Sequence, residues 1–204
     1  MCYYDVMVEE KIIHTDKKDS SMPTGRQAFW KNAWDLLRFG LIAVLIVLPI
    51  RIFIAQPFIV SGSSMVPTFE NGEYLIIDEL SYHLRQPERG EVVVFRYPKN
   101  TKLFFIKRII GLPGETIKID GENVTVKNSE QKESMKLDES YIKNQSSNDL
   151  EISLGTDEYF VMGDNRAYSS DSRAWGALPE KLIIGRAFLR LWPIAQAGLL
   201  PGNQ

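Results

Sequence analysis

An uncharged apolar run, Phe39 to Ile50, stands alone in a chain whose other segments mix charge and hydrophobicity. Twelve residues of helix rise about 18 Å, short of the roughly 30 Å of a hydrocarbon layer. Carried on through Ile52, Phe53 and Ile54 to Ala55, the helix reaches about 25 Å, with Arg51 able to lift its guanidinium toward headgroups. Trp30 and Trp34 precede the run where an interfacial aromatic belt belongs. A buried core helix is the other reading, and the flanking charge separates the two. Arg26, Lys31 and Arg38 lie just before the run, whereas Ile52 to Leu84 contains no Lys or Arg. That asymmetry predicts a single transmembrane helix, with a cytoplasmic N-terminus and an exported domain beyond Val60. A cleaved signal sequence fits less well, since no small-x-small site directly follows the run. Residues 1–28 then read as a cytoplasmic tail, 29–55 as the anchor and 56–204 as the exported domain.

Past Phe58 the pattern is β. Short runs at Tyr74–Ile77, Glu91–Tyr97, Leu103–Ile110, Thr116–Ile119, Val124–Val126, Tyr159–Met162 and Ile183–Trp192 are punctuated by Asn71-Gly72, Arg89-Gly90, Pro113-Gly114 and Asp120-Gly121. Ile117, Ile119, Val124 and Val126 alternate with polar residues across Asp120-Gly121, which predicts a hairpin with one wet face. Residues 128–154 are polar and read as an insertion or loop. The expected fold is mainly β, several small antiparallel sheets following one helix.

Composition narrows the chemistry. Cys2 is the sole cysteine and there are two histidines, His14 and His83, so a disulfide framework, a cysteine zinc site and a multi-histidine metal centre are all disfavoured. A net charge of -2 supplies no general attraction to nucleic acid. Hydroxyls, amines and carboxylates remain, and no cofactor is expected.

Three segments hold such groups. Ser61-Gly62-Ser63-Ser64-Met65 follows the apolar region directly; taken alone it reads as a Ser/Gly linker, with an accessible nucleophilic hydroxyl as the alternative. Lys107 lies within Leu103–Ile110, where a strand puts it on the same side as Phe105 and Ile109. Apolar neighbours disfavour the ammonium, and a fall of about 2 to 3 pKa units would make the amine a base near neutrality. A lysine snorkelling at a strand edge is the plainer account of that residue by itself. Gly163-Asp164-Asn165-Arg166-Ala167-Tyr168-Ser169-Ser170-Asp171-Ser172-Arg173 is either a solvated turn or a loop able to position an amine through ion pairs.

In combination and in this order, the three segments resemble the bacterial type I signal peptidases, membrane-bound serine proteases that remove signal peptides from exported proteins. Arg89-Gly90-Glu91-Val92-Val93-Val94-Phe95 and Ile184-Gly185-Arg186-Ala187-Phe188 are similar to further strands of that family. The resemblance implies Ser64 as nucleophile and Lys107 as general base. It also implies Ser169 orienting the amine, Asp171 paired with Arg173 and Asp164 with Arg108, and Phe58, Val60 and Ile106 among the walls of the substrate pockets. Gly62 stands where some members carry a serine that helps bind the oxyanion, so here the backbone N–H of Ser64 would carry that role. Ala167-Tyr168 is less polar than in several relatives. The implied partners are preprotein signal peptides ending in a small-x-small motif, together with membrane lipid. Rival readings are a Ser-His-Asp triad using His83, a soluble self-cleaving Ser–Lys protease, and an inactive tethered β-domain that binds signal peptides without cutting them.

Overall fold

The computed structural model describes residues 25–49, 55–128 and 134–202. Most of the expected tail therefore lies outside the described residues, as do Arg51 to Ile54. The chain divides into two compact units at Leu45/Ile46. A 25-residue helix, α1 (Gly25–Pro49), begins inside the segment assigned to the tail. No described helix is long and apolar enough to cross a membrane. Arg26, Lys31, Asp35 and Arg38 all precede the apolar run within α1.

The described strands all lie in the second unit and pair antiparallel. Its strands are β1 (Ala55–Ile59), β2 (Tyr74–Asp78), β3 (Val92–Tyr97), β4 (Asn100–Gly111), β5 (Glu115–Gly121), β6 (Asn123–Asn128), β7 (Met135–Lys136), β8 (Asn148–Ser153), β9 (Glu158–Met162), β10 (Leu178–Pro179), β11 (Ile183–Trp192) and β12 (Gly198–Leu199). Two single-turn helices, α2 (Ser81–Leu84) and α3 (Ser172–Trp175), interrupt them.

Instead of several small sheets, the described residues build two. One has eight strands in the order β1-β2-β11-β3-β4-β9-β10, with β12 added to β11; the other has four, β7-β6-β5-β8. Turn residues mark where strands stop but carry no information about which distant strand becomes the neighbour. Here β11 joins β2 to β3, pairing Arg186 with both Asp78 and Val93 from far along the sequence, with register shifts at Ala187/Leu189 and Ile183/Gly185.

All four predicted turn glycines take a left-handed φ, from +60° at Gly121 to +89° at Gly72. The predicted hairpin is present, with Ile117 opposite Val126 and Ile119 opposite Val124, all four buried. The segment 128–154 is not loop throughout. β8 pairs with β5, setting Ile152 against Ile117 and Leu150 against Ile119. Asp149, Glu151 and Ser153 are exposed and alternate with Leu150 and Ile152, a pattern that buried Leu154 continues past the strand.

The unbroken run Val92-Val93-Val94-Phe95 follows from burial on both faces of the large sheet. Val92 and Val94 enter a core with Val60, Met65, Phe69, Leu75 and Ile77, whereas Val93 and Phe95 pack with Ile109, Tyr159 and Val161. A third core, around Ile117, Val124 and Val126, takes in Ile110, Phe160 and Met162, so β4 and β9 support the small sheet as well.

Candidate active site

β1 leads directly into the first chemical segment. Val60 N–H donates to the Glu73 carbonyl and Gly72 N–H to that of Val60, closing the strand pair, after which the chain turns away. Gly62 makes the turn at φ +96°, a conformation that favours glycine, and its N–H donates to Asn71 Oδ1 at 2.9 Å. Met65 and Phe69, both fully buried, pin the far side of the turn. Ser64 is thereby held at the edge of a cleft while its neighbours anchor the backbone. Its amide N–H has no hydrogen-bond partner among the described residues.

Lys107 reaches the same cleft from β4, where it sits opposite Val93 of β3. Its side chain is 4% exposed, and Nζ lies 2.7 Å from Ser64 Oγ and 2.8 Å from the Ile106 carbonyl oxygen, to which it donates. The Phe105 ring centroid is 5.4 Å from the same nitrogen. Burial drives the amine from 10.5 down to about 8; Asp171 and Asp164 act in the opposite sense. A neutral amine at that distance accepts the hydroxyl proton, whereas an ammonium donates to the oxygen.

The third segment runs from the end of β9 to α3. Asp164 takes a bidentate pair from Arg108, with Nε to Oδ1 at 2.8 Å and Nη2 to Oδ2 at 2.6 Å; both side chains are 1% exposed. Thr68 Oγ1 also donates to Asp164 Oδ2, at 2.5 Å. Asp171 accepts Nε and Nη2 of Arg173, each at 2.8 Å, and the Gly163 N–H at 3.0 Å. It also caps α3 through the Arg173 N–H. Both implied ion pairs are formed. They orient the loop without touching Ser64 Oγ or Lys107 Nζ. Ser169 differs from the expectation. Its Oγ is buried with no hydrogen-bond partner among the described residues, so it makes no bond to Lys107. It packs instead against Gly163, where an added Cβ would lie 2.2 Å from Ser169 Oγ and 2.4 Å from the Ser64 carbonyl oxygen.

Phe58, Val60 and Ile106 line the same cleft of about 310 Å³ as Gly62, Ser64 and Lys107. Leu75, Val94, Phe104, Tyr168 and Ser170 also line it, and Phe104 meets Phe58 edge-on at 5.6 Å. Sequence reasoning gave these no role, nor did it find one for Asn165. That residue donates its backbone N–H to the Ser64 carbonyl at 3.0 Å and Nδ2 to the Ser63 carbonyl at 2.9 Å. It ties the third segment to the first across a separation of 102 positions, which no local pattern encodes.

His83 lies on α2, exposed, with Nδ1 3.0 Å from the Glu79 carbonyl oxygen, and is not among the residues lining the cleft. Among the described residues no cluster of His, Cys, Asp and Glu could hold a metal ion.

A model of the family described as "Signal peptidase, peptidase S26" matches residues 33–192. A probable signal peptidase I-2 of Synechocystis is 39% identical over 201 residues, covering 95% of this chain and 86% of that protein. Signal peptidase I T of Bacillus subtilis is 33% identical, covering 92% and 96% respectively. A crystal structure of a signal peptidase I from Enterococcus faecalis V583 aligns at 28% identity with a TM-score of 0.42, over 50% of this chain and 97% of that one. Matched along most of its length by the family and by these relatives, the chain belongs to the peptidase S26 signal peptidases and is a serine peptidase of the signal peptidase I type.

Proposed function

We propose that this peptidase cleaves preproteins after a small-x-small motif, with Ser64 as nucleophile and Lys107 as general base. The observation that carries the reading is a desolvated amine 2.7 Å from a hydroxyl. Neutral Lys107 takes the Ser64 proton as Oγ attacks the scissile carbonyl, and the Ser64 N–H donates to the oxyanion. Lys107 then hands the proton to the leaving amine. It next activates water, which releases the acyl group and restores Ser64. Gly62 supplies no hydroxyl, so backbone donors hold the oxyanion.

Substrate selection follows from the cleft. β4 pairs with β3 along residues 104–108 but meets β9 only from Arg108 onward, which leaves its other edge open beside Phe104 and Ile106. An extended peptide laid there gains main-chain hydrogen bonds and turns alternate side chains toward Phe58, Val60 and Ile106. Apolar walls of this kind suit the small side chains of a small-x-small motif. Asp164–Arg108 and Asp171–Arg173 hold the loop behind the amine, and Ser169 supports it by packing. Residues 29–55 act as a single-pass anchor, with residues 1–28 cytoplasmic and 56–204 outside. An inactive binder is disfavoured, since burying an amine beside a hydroxyl costs stability that mere binding does not require.

Purified full-length chain in detergent, given a preprotein with an Ala-x-Ala site, tests the reading. The expected result is a product whose mass places the cut after the second alanine, lost in Ser64→Ala and Lys107→Ala and kept in His83→Ala. Cleavage persisting in Lys107→Ala would overturn it.

A further inference from the structure

The segment between β7 and β8 looks on composition like a solvated insertion, yet two of its side chains reach the arginines behind the site. Glu139 pairs with Arg166, which is 3% exposed: Nη1 donates to Oε2 at 3.0 Å and Nη2 to Oε1. Two residues on, the Tyr141 ring lies 4.4 Å from the guanidinium carbon of Arg108. The backbone joins in as well, with Ala167 N–H donating to the Asn144 carbonyl at 3.3 Å.

The Glu139 pair leads back to the nucleophile in two steps. With its two Nη groups engaged by the carboxylate, the planar guanidinium is fixed in orientation, and its remaining Nε–H donates to the Gly163 carbonyl at 3.2 Å. Gly163 packs against the Ser64 carbonyl too closely to admit a Cβ, and the Arg166 carbonyl accepts Arg173 Nη2 at 2.7 Å. Arg166 cannot discharge itself by losing a proton, so without Glu139 a permanent cation would be left buried and would pull the loop toward water.

We propose that Glu139 is a positioning residue for peptide cleavage, and that residues 134–147 brace the Gly163–Arg173 loop through it. This rests on the Ser64–Lys107 reading, because the brace matters only if the loop sets the geometry of that pair. The role is one of orientation. It predicts loss of turnover with a smaller change in substrate affinity, since the apolar walls Phe58, Val60, Leu75, Val94, Phe104 and Ile106 lie outside the braced loop, which adds Tyr168 and Ser170 to the cleft.

The test compares full-length parent, Glu139→Gln, the doubly neutral Glu139→Gln/Arg166→Gln, and Glu151→Gln on the exposed face of β8 as control. Each is assayed for kcat, KM and Tm, with hydrogen exchange followed at residues 163–169. Expected are a fall in kcat of about tenfold or more in both Glu139 variants, KM within about twofold, faster exchange at 163–169, and an unchanged control. Retention of parental kcat in Glu139→Gln overturns the proposal. So does global unfolding of both variants, because a brace on one loop leaves the two sheets standing. Failure of the Ser64–Lys107 reading shows separately, as activity surviving in Ser64→Ala or Lys107→Ala.

Discussion

Titrating the enzyme tests the chemistry most directly, because burial sets the Lys107 amine at about 8 against an ordinary 10.5. At pH 7 an amine of pKa 8 is about one-tenth neutral, against roughly one part in three thousand at 10.5, so burial supplies about 300-fold more base. For a Ser64 attack that needs neutral Lys107, kcat/KM should rise about tenfold per pH unit on the acid side and level off near the amine's own pKa. The assay is initial-rate cleavage of an Ala-x-Ala peptide by detergent-solubilised enzyme between about pH 6 and pH 10. A flat profile, or an ascending limb centred on the pKa of a solvated lysine, would refute the reasoning.

The same shift appears in stability with a definite sign. The folded-state pKa of Lys107 lies below its unfolded value, so between about 8 and 10.5 the unfolded chain binds the extra proton. Stability therefore rises with pH through that window and carries the full penalty below it. The penalty is about 3 kcal/mol at 1.36 kcal/mol per pKa unit. Lys107→Met keeps the stem's packing without the charge. Its stability relative to parent should be highest below pH 8 and decline as pH climbs toward 10.5, as followed by urea unfolding. A difference independent of pH would mean the amine is hydrated.

Two substitutions probe the loop. Arg108→Met strands the Asp164 carboxylate in the interior, where an unpaired charge costs about 3 to 5 kcal/mol, and the loss is measured as a lower urea midpoint. Gly163→Ala places a methyl group 2.4 Å from the Ser64 carbonyl oxygen, a contact only backbone movement can relieve. Relief to an ordinary contact moves the Ser64 backbone by about 1 Å, which should cut kcat about a hundredfold with the far-ultraviolet circular dichroism of the sheets retained.

Local chemistry was readable in the sequence where cause and effect lie close together. Asp120-Gly121 between alternating Ile and Val encodes its own hairpin, and each turn glycine reports a φ that other residues resist. β8 was legible too, in Leu150, Ile152 and Leu154, but Asn, Asp, Glu and Ser around them hid a period of two that composition alone does not register. The sheet order was not legible, because β2 meets β11 through backbone bonds that any residues can make. Within the site, Ser64, Lys107 and the loop announce themselves by residue type and by resemblance. Asn165, Glu139 and Tyr141 do not, since each acts on a group far along the chain.

Burial explains why a lysine, among several interior cations, suits the part of base in the proposed mechanism. Lys107, Arg108, Arg166 and Arg190 are all buried. Each arginine faces a carboxylate, Asp164, Glu139 or Glu73 respectively, whereas Lys107 makes no ion pair among the described residues and meets the Ser64 hydroxyl, the Ile106 carbonyl and the Phe105 ring. A guanidinium stays charged at any working pH, so its burial requires an anion and yields a rigid strut. An ammonium denied a carboxylate partner has a cheaper course, which is to release its proton. The fold thus divides the labour by basicity, with arginines holding the loop in place and the one cation able to discharge set against the hydroxyl. A carboxylate introduced within reach of Nζ would reverse that assignment by raising the amine's pKa, shrinking its neutral fraction at pH 7 and shifting the ascending limb of the pH–rate profile to higher pH.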